Sequence, residues 1–418
     1  MAPLLVARPQ VVVAADVTVT RLDGSTVTGE LQNWDEHQLV VKTSAGEERL
    51  TIDQLTSLRW PAPASAEKPG DKLPGVVELT DGSQIPIGAL RVAGDDALLK
   101  VERSAEKGDA EIKVPAKSIS TVRFQKLDGA LVKQWDEIRN QKSPSDVLII
   151  IKRDGKSLDY VEGIVGEITD DKVEFKLDGE TNRIDRAKVA GVIYYHRDRA
   201  RTAETKFILH GRSGLQASSV KLAINEGMVD ITTAGGVSLR WPIDDLEAAD
   251  FSAGKVMYLS DMNPASQSWT PLVGLPEGVT LAAEYGQPRR DRSAFSNMLT
   301  LPATDKSDAA SQSTAIQTFK KGLALRSRSE LVYRVPDGFN RFTALAGIDP
   351  VTTSTGNVRL SILADDRSLL EADIAGNQPP QPIDVQLNGA KRLKIIVDFG
   401  QNLDTGDWLN LCDAKIAK

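Results

Sequence analysis

The sequence predicts an all-β protein in which four small barrels, with one helix between the second and third, precede a C-terminal β-sandwich. Three observations predict it. An eleven-residue box, with large apolar side chains at its positions 1, 3, 6, 9 and 11, recurs four times before residue 252. Asp-Gly pairs stand upstream of three of the boxes, where a tight turn between strands is needed. After Tyr258, short runs that are apolar at every second position alternate with turn residues, the pattern of a sandwich.

The boxes are Leu50–Trp60 (LTIDQLTSLRW), Val114–Phe124 (VPAKSISTVRF), Ile184–Tyr194 (IDRAKVAGVIY) and Trp241–Phe251 (WPIDDLEAADF). Leu55, Ile119, Val189 and Leu246 fall at position 6, and Trp60, Phe124, Tyr194 and Phe251 at position 11. Arg186 at position 3 and Ala249 at position 9 depart from the pattern. Positions 1 and 3 share one face of a strand, and positions 9 and 11 one face of the next. The residues between them suit a single 3₁₀ turn, with position 6 plugging the core. Upstream, Asp23-Gly24, Asp81-Gly82 and Asp154-Gly155 supply the hairpin turns. The resulting order is strand, tight turn, long strand, hairpin, strand, 3₁₀ turn, strand. At pattern level it resembles SH3-like or Sm-like small barrels, expected over 16–61, 75–125, 146–196 and 204–253. A copy of about 50 residues has a marginal core by itself, so neighbouring copies are expected to pack together. The four position-11 aromatics are expected in equivalent buried places.

The connections differ in character. Residues 1–15 (MAPLLVARPQVVVAA) read either as a truncated export signal, with Val13-Ala14-Ala15 as a cleavage site, or as a disordered arm. The first of these places the chain outside the cytoplasm, in the periplasm or at the cell surface. Pro61–Pro74 has the composition of a solvated linker, Arg197–Thr202 is a short charged link, and Leu301–Thr314 is a polar loop. Leu127–Asn140 places Leu131, Trp135 and Ile138 at helical spacing and predicts one amphipathic helix whose Trp135 docks on a barrel.

Composition narrows the function. The chain has 418 residues, a net charge of −7, 41% apolar and 26% charged residues, with its cations scattered. That is no electrostatic footprint for nucleic acid. No run of 18 apolar residues predicts a membrane span. Cys412 is the sole cysteine and reads as a small buried hydrophobe. His37, His196 and His210 fall in three different blocks, without metal-ligand spacing. Neither a phosphate-cradling loop nor a nucleophile elbow occurs. An enzyme is not expected.

The C-terminal region centres on Lys320–Asp349, which reads as a hairpin. Leu331, Tyr333 and Val335 alternate before Pro336-Asp337-Gly338, and Phe342, Ala344, Ala346 and Ile348 after it. The segments KGLALRSRSELVY, FTALAGID, VRLSILADDRSL, VQLNGAKRLKIIVDFG and DWLNLCDAKI, together with YLSDM at Tyr258–Met262, resemble the NPCBM-type carbohydrate-binding modules. The resemblance covers Tyr258–Lys418. It implies a galactose-binding-like jelly-roll sandwich that binds sugar without catalysis. It also leaves room for a structural calcium ion, with Asp413 or Asp261 contributing. The family usually carries Gly-x-His in the first loop, where this chain has Ala324-Leu325-Arg326.

Sugars are held by multidentate polar side chains and an aromatic face, so the candidate carbohydrate-binding residues are Arg326, Arg328, Trp408, Asp366 and Asn402. Each has a plainer alternative: a solvated arginine, a core tryptophan, a turn residue. The basic Arg289, Arg290 and Arg292 read as a solvated loop. An arginine in the first loop predicts a preference for acidic glycans. The leading function is non-catalytic carbohydrate binding at or outside a bacterial cell surface, with the barrels as scaffold. The alternative is an envelope scaffold that binds proteins and whose sandwich no longer binds sugar.

Overall fold

The computed structural model describes residues 16–62, 75–101, 110–127, 129–141, 143–197, 202–225, 227–273, 285–303 and 316–418. The export signal or arm, and most of the proline-rich linker, of the charged link and of the polar loop, lie outside these. Among the described residues the chain is mostly β, with one α-helix at Gly129–Asn140. It divides into two compact units, residues 1–253 and 254–418.

In the first unit one strand order occurs four times, with the second strand broken into Gln84–Ile87 and Ala89–Ala93 in the second copy. It begins Asp16–Arg21, Thr26–Trp34, Gln38–Thr43 and Gly46–Thr51, then a 3₁₀ turn at Ile52–Gln54 and a last strand Leu55–Arg59. The first strand pairs with both the second and the fifth, Val19 lying opposite Val27 and Leu58. The later 3₁₀ turns fall at Ala116–Ser118, Arg186–Lys188 and Ile243–Asp245. Position 6 is completely buried in all four copies: Leu55, Ile119, Val189 and Leu246 are each 0% exposed.

The turns are built locally. Gly24, Gly82 and Gly155 have φ of 80°, 83° and 66°, which glycine adopts without strain. The aspartate before each accepts the amide of the residue after it. The fourth copy has Ser213-Gly214 instead, and Asp245 in its 3₁₀ turn supplies the carboxylate, accepting from the Ser213 amide at 3.0 Å and the Trp241 indole at 2.6 Å.

Separate small cores are not what forms. Strand Leu55–Arg59 of the first copy pairs with Leu246–Asp250 of the fourth, and Ile119–Arg123 of the second with Val189–Ile193 of the third. One hydrophobic core runs through all four copies. At the first–fourth junction Trp34, Trp60, Phe207 and Phe251 interlock, with ring centroids 5.1–6.5 Å apart. Tyr194 departs from its position-11 equivalents. Trp60, Phe124 and Phe251 are buried, whereas Tyr194 is only half-buried. Its copy is also the one with Arg186 at position 3, whose guanidinium lies over the Phe124 ring at 4.8 Å instead of filling its own core.

The helix buries Trp135 and Ile138 against Val147, Ile149, Leu158 and Ala190. Gly191 makes room: a Cβ there would stand 2.0 Å from the Val122 carbonyl and 2.7 Å from the Trp135 ring.

The second unit is a two-sheet sandwich. One sheet holds Gly322–Arg326, Trp408–Ala417, Arg341–Ile348 and Gln381–Gln386, with short strands Val256–Tyr258 and Arg289–Arg290 added. The other runs Ser266–Trp269, Ser329–Arg334, Arg392–Phe399, Asn357–Ala364 and Arg367–Ala375. Leu331, Tyr333, Phe342, Leu360, Ile395 and Leu411 meet in the core between the sheets. The hairpin expected over Lys320–Asp349 does not form. Ser329–Arg334 pairs with Arg392–Phe399, and Arg341–Ile348 with Trp408–Ala417, so the Pro336 turn is a corner between sheets. Both strands still turn their alternating apolar residues to the same core, which is why the pattern alone looks like a hairpin. The DWLNLC segment becomes the central strand of its sheet, and Cys412 is fully buried, which pushes its thiol pKa up.

Candidate functional site around Arg326

Arg326 ends strand Gly322–Arg326 and lies across the ladder from Trp408, which begins the central strand. The loop before Trp408, residues 400–407, therefore folds over the arginine. Arg326 Nη2 donates to the Asp404 carbonyl at 3.2 Å and to its carboxylate at 3.3 Å. Its guanidinium carbon sits 4.7 Å from the Tyr285 ring centroid and 5.6 Å from that of Trp408. Only 12% of the side chain is exposed, and Nε is buried without a partner. A guanidinium between two rings and a carboxylate is fixed in direction, so its remaining donor capacity is pre-aimed.

Trp408 is 1% exposed, and the edges of Tyr285 and Phe295 meet it at 5.5 and 6.1 Å. Arg289 also stacks on it, 5.5 Å from the ring centre, and donates to the Ala294 carbonyl at 3.2 Å. Tyr285 and Phe295 are each 47% exposed and form the accessible aromatic surface of the cluster. The neighbouring Asp407 is fully buried and accepts the Asn357 amide at 3.1 Å; burial pushes its carboxyl above the usual carboxylate range. Asn402 anchors the loop by donating to the carbonyls of Thr355 and Thr405, leaving Oδ1 buried and unpartnered.

Of the five candidates, the structure brings Arg326, Trp408 and Asn402 to one loop end. Arg328 is close in sequence but half-exposed, with Nε 3.7 Å from Asp398. Asp366 is elsewhere. It pairs with Arg392 at 3.0 Å and Lys394 at 3.4 Å, at the opposite end of the strands that run from Ser329 and Val397. At about 3.4 Å per residue that is roughly 17 Å away. Arg289 and Arg290 are not a solvated loop: they form a short strand against Ala324 and Leu323. Tyr285, Phe295 and Asp404 escaped the sequence reading because none stands in a periodic segment.

Asp404 already holds Arg326, which removes the ground for expecting acidic glycans at this loop. The two aspartates named for calcium are each engaged by a lysine. Asp261 is held by Lys321 at 2.5 Å and Asp413 by Lys415 at 2.6 Å. Among the described residues no group of three or more His, Cys, Asp or Glu could hold a metal ion.

Residues 255–417 match the family model of the NPCBM/NEW2 domain. Among solved structures, the chain is similar to a CBM51 from Clostridium perfringens GH95 in complex with methyl-galactose, with 21% identity and a TM-score of 0.31. The similarity covers 39% of this chain and 99% of that one. It is also similar to the CBM51-2 and INT domains of Clostridium perfringens ZmpB (20% identity, TM-score 0.32, 51% and 40% of the two chains). A third is the tandem CBM51 modules of a family 98 glycoside hydrolase from Streptococcus pneumoniae (10% identity, TM-score 0.31, 82% and 99%). No curated protein matches the chain.

Proposed function

We propose that residues 254–418 are a non-catalytic carbohydrate-binding module, and that the first unit is a scaffold of four SH3/Sm-like barrels in an exported protein. The observation that carries this reading is the recessed Arg326 guanidinium flanked by the exposed ring of Tyr285, within the residues that match the NPCBM/NEW2 model. A fixed donor beside an open aromatic face suits a sugar, whose hydroxyls take the hydrogen bonds and whose C–H face covers the ring. With its charge balanced by Asp404, Arg326 fits a neutral sugar. Trp408 and Asn402 serve by positioning, Trp408 under the guanidinium and Asn402 by holding the loop.

The test is calorimetric titration of the full chain with galactose and N-acetylglucosamine. Tyr285→Ala is expected to weaken binding about tenfold, since truncating an aromatic anchor costs on the order of 1–2 kcal/mol. Binding unchanged in this variant would remove Tyr285 from the site. The second reading, an envelope protein-interaction scaffold, is favoured by the exposure of Phe295, Met298 and Leu403 on this unit. Absence of any sugar binding would leave that reading standing.

A further inference from the structure

We infer a second binding site on the same unit, for a sugar that carries a carboxylate or sulfate group, in the cleft built on Arg334 and Arg392. It deepens the proposed carbohydrate reading, which it uses only for the saccharide class. The two arginines are direct neighbours in the ladder between strands Ser329–Arg334 and Arg392–Phe399, with Val332 opposite Lys394 beside them. Leu331, Tyr333, Leu393 and Ile395 point into the core, so alternation turns Val332, Arg334, Arg392 and Lys394 outward. They line a cleft of about 640 Å³.

Like charges placed directly opposite each other across an antiparallel pair are destabilising. The carboxylates in the cleft pair with Arg392 and Lys394 but not with Arg334. Asp365 accepts the backbone amides of Lys391 and Arg392, at 3.0 and 2.9 Å, and its carboxylate lies 3.9 Å from Arg392 Nε. Asp366 is shared by Arg392 and Lys394, and Glu330 lies 3.5 Å from Lys394. Lys391 is held by Asp337 at 2.5 Å. Among the described residues no carboxylate pairs with Arg334, so one guanidinium stands without an ion-pair partner beside a second that is paired. An oxyanion bridging the two would receive bidentate, charge-assisted hydrogen bonds. Val332 and Ala265 in the same cleft offer an apolar surface to the body of the ligand. About 17 Å of strand separates this cleft from Arg326, so the two sites are independent.

The experiment titrates the full chain with glucuronate and glucose 6-sulfate, each compared with glucose and with acetate or sulfate alone. The charged sugars are expected to bind at least tenfold more tightly than glucose or the free anions, and less tightly as salt rises. Arg334→Gln should weaken them at least tenfold while leaving galactose binding at the Tyr285 loop unchanged. Its thermal midpoint should be equal or higher, because the like-charge contact is relieved. Equal binding in Arg334→Gln, or binding of glucose or of the free anions as tight as that of the charged sugars, overturns the inference. So does a lowered midpoint, which would make Arg334 structural. Charged-sugar binding that is lost in Arg334→Gln, in a protein that binds no neutral sugar, would sink the reading of the Arg326 loop and uphold this one.

Discussion

Arg326→Ala should cost the second unit about 3 kcal/mol of stability. The side chain makes one ion pair, to Asp404, of a kind that contributes roughly 1.5–3 kcal/mol. Because Asp404 keeps about a third of its side chain exposed, the lower part of that range applies. Contacts with the faces of Tyr285 and Trp408 add about 0.5–2 kcal/mol together. In a unit of this size, 3 kcal/mol corresponds to a fall in thermal midpoint of roughly 6–12 °C. Two further variants separate shape from charge. Arg326→Lys keeps the charge but loses the planar fork and the stacking, so it should recover little. Asp404→Asn keeps the backbone carbonyl that accepts from Nη2, so it should cost least. Scanning calorimetry of the full chain reads all three. A loss below about 0.5 kcal/mol for Arg326→Ala would show that the loop is held without it. Lysine restoring full stability would show that charge alone matters.

Two further outcomes follow from burial. Phe251→Ala, at the junction of the first and fourth copies, should destabilise the first unit by about 3–5 kcal/mol in urea unfolding, and a cycle with Phe207→Ala should reveal a coupling of about 0.5–1.5 kcal/mol; additive effects would mean the two rings act separately. Asp407 has its pKa raised above 3.8 by burial, so the folded chain binds that proton more tightly, and stability falls as pH rises from about 4 through the folded value; Asp407→Asn should flatten that part of the pH–stability profile, and an unchanged profile would assign the slope to other groups.

Much of the fold was legible because side-chain periodicity records which residues meet a core. The four boxes announced themselves through Leu55, Ile119, Val189 and Leu246, all of which plug the first unit. What periodicity does not record is which strand a backbone pairs with. The link between Leu55–Arg59 and Leu246–Asp250 joins residues almost two hundred positions apart through amides and carbonyls common to every residue. The corner at Pro336 was misread for the same reason. A hairpin and an inter-sheet corner bury the same alternating residues and differ only in hydrogen-bonding partner.

The site shows the same division at the level of charge. An arginine's availability to a ligand depends on what already holds it, and for Arg326 the holders are far off in sequence. Asp404 lies 78 residues downstream and Tyr285 41 residues upstream. From the sequence Arg326 was an attractive donor because it stood where the family usually has histidine; in the fold it is a braced, neutralised floor. Arg334 carried no such mark. Its outward direction was implicit in the alternation of Leu331 and Tyr333, but its place beside a second guanidinium depends on the ladder register that sets it against Arg392. A one-residue slip would send its side chain to the other face and turn a buried neighbour toward Arg392. The charge selectivity that the sequence reading set at one end of the sandwich is, in the site proposed above, moved to the other, on grounds of register and ion pairing.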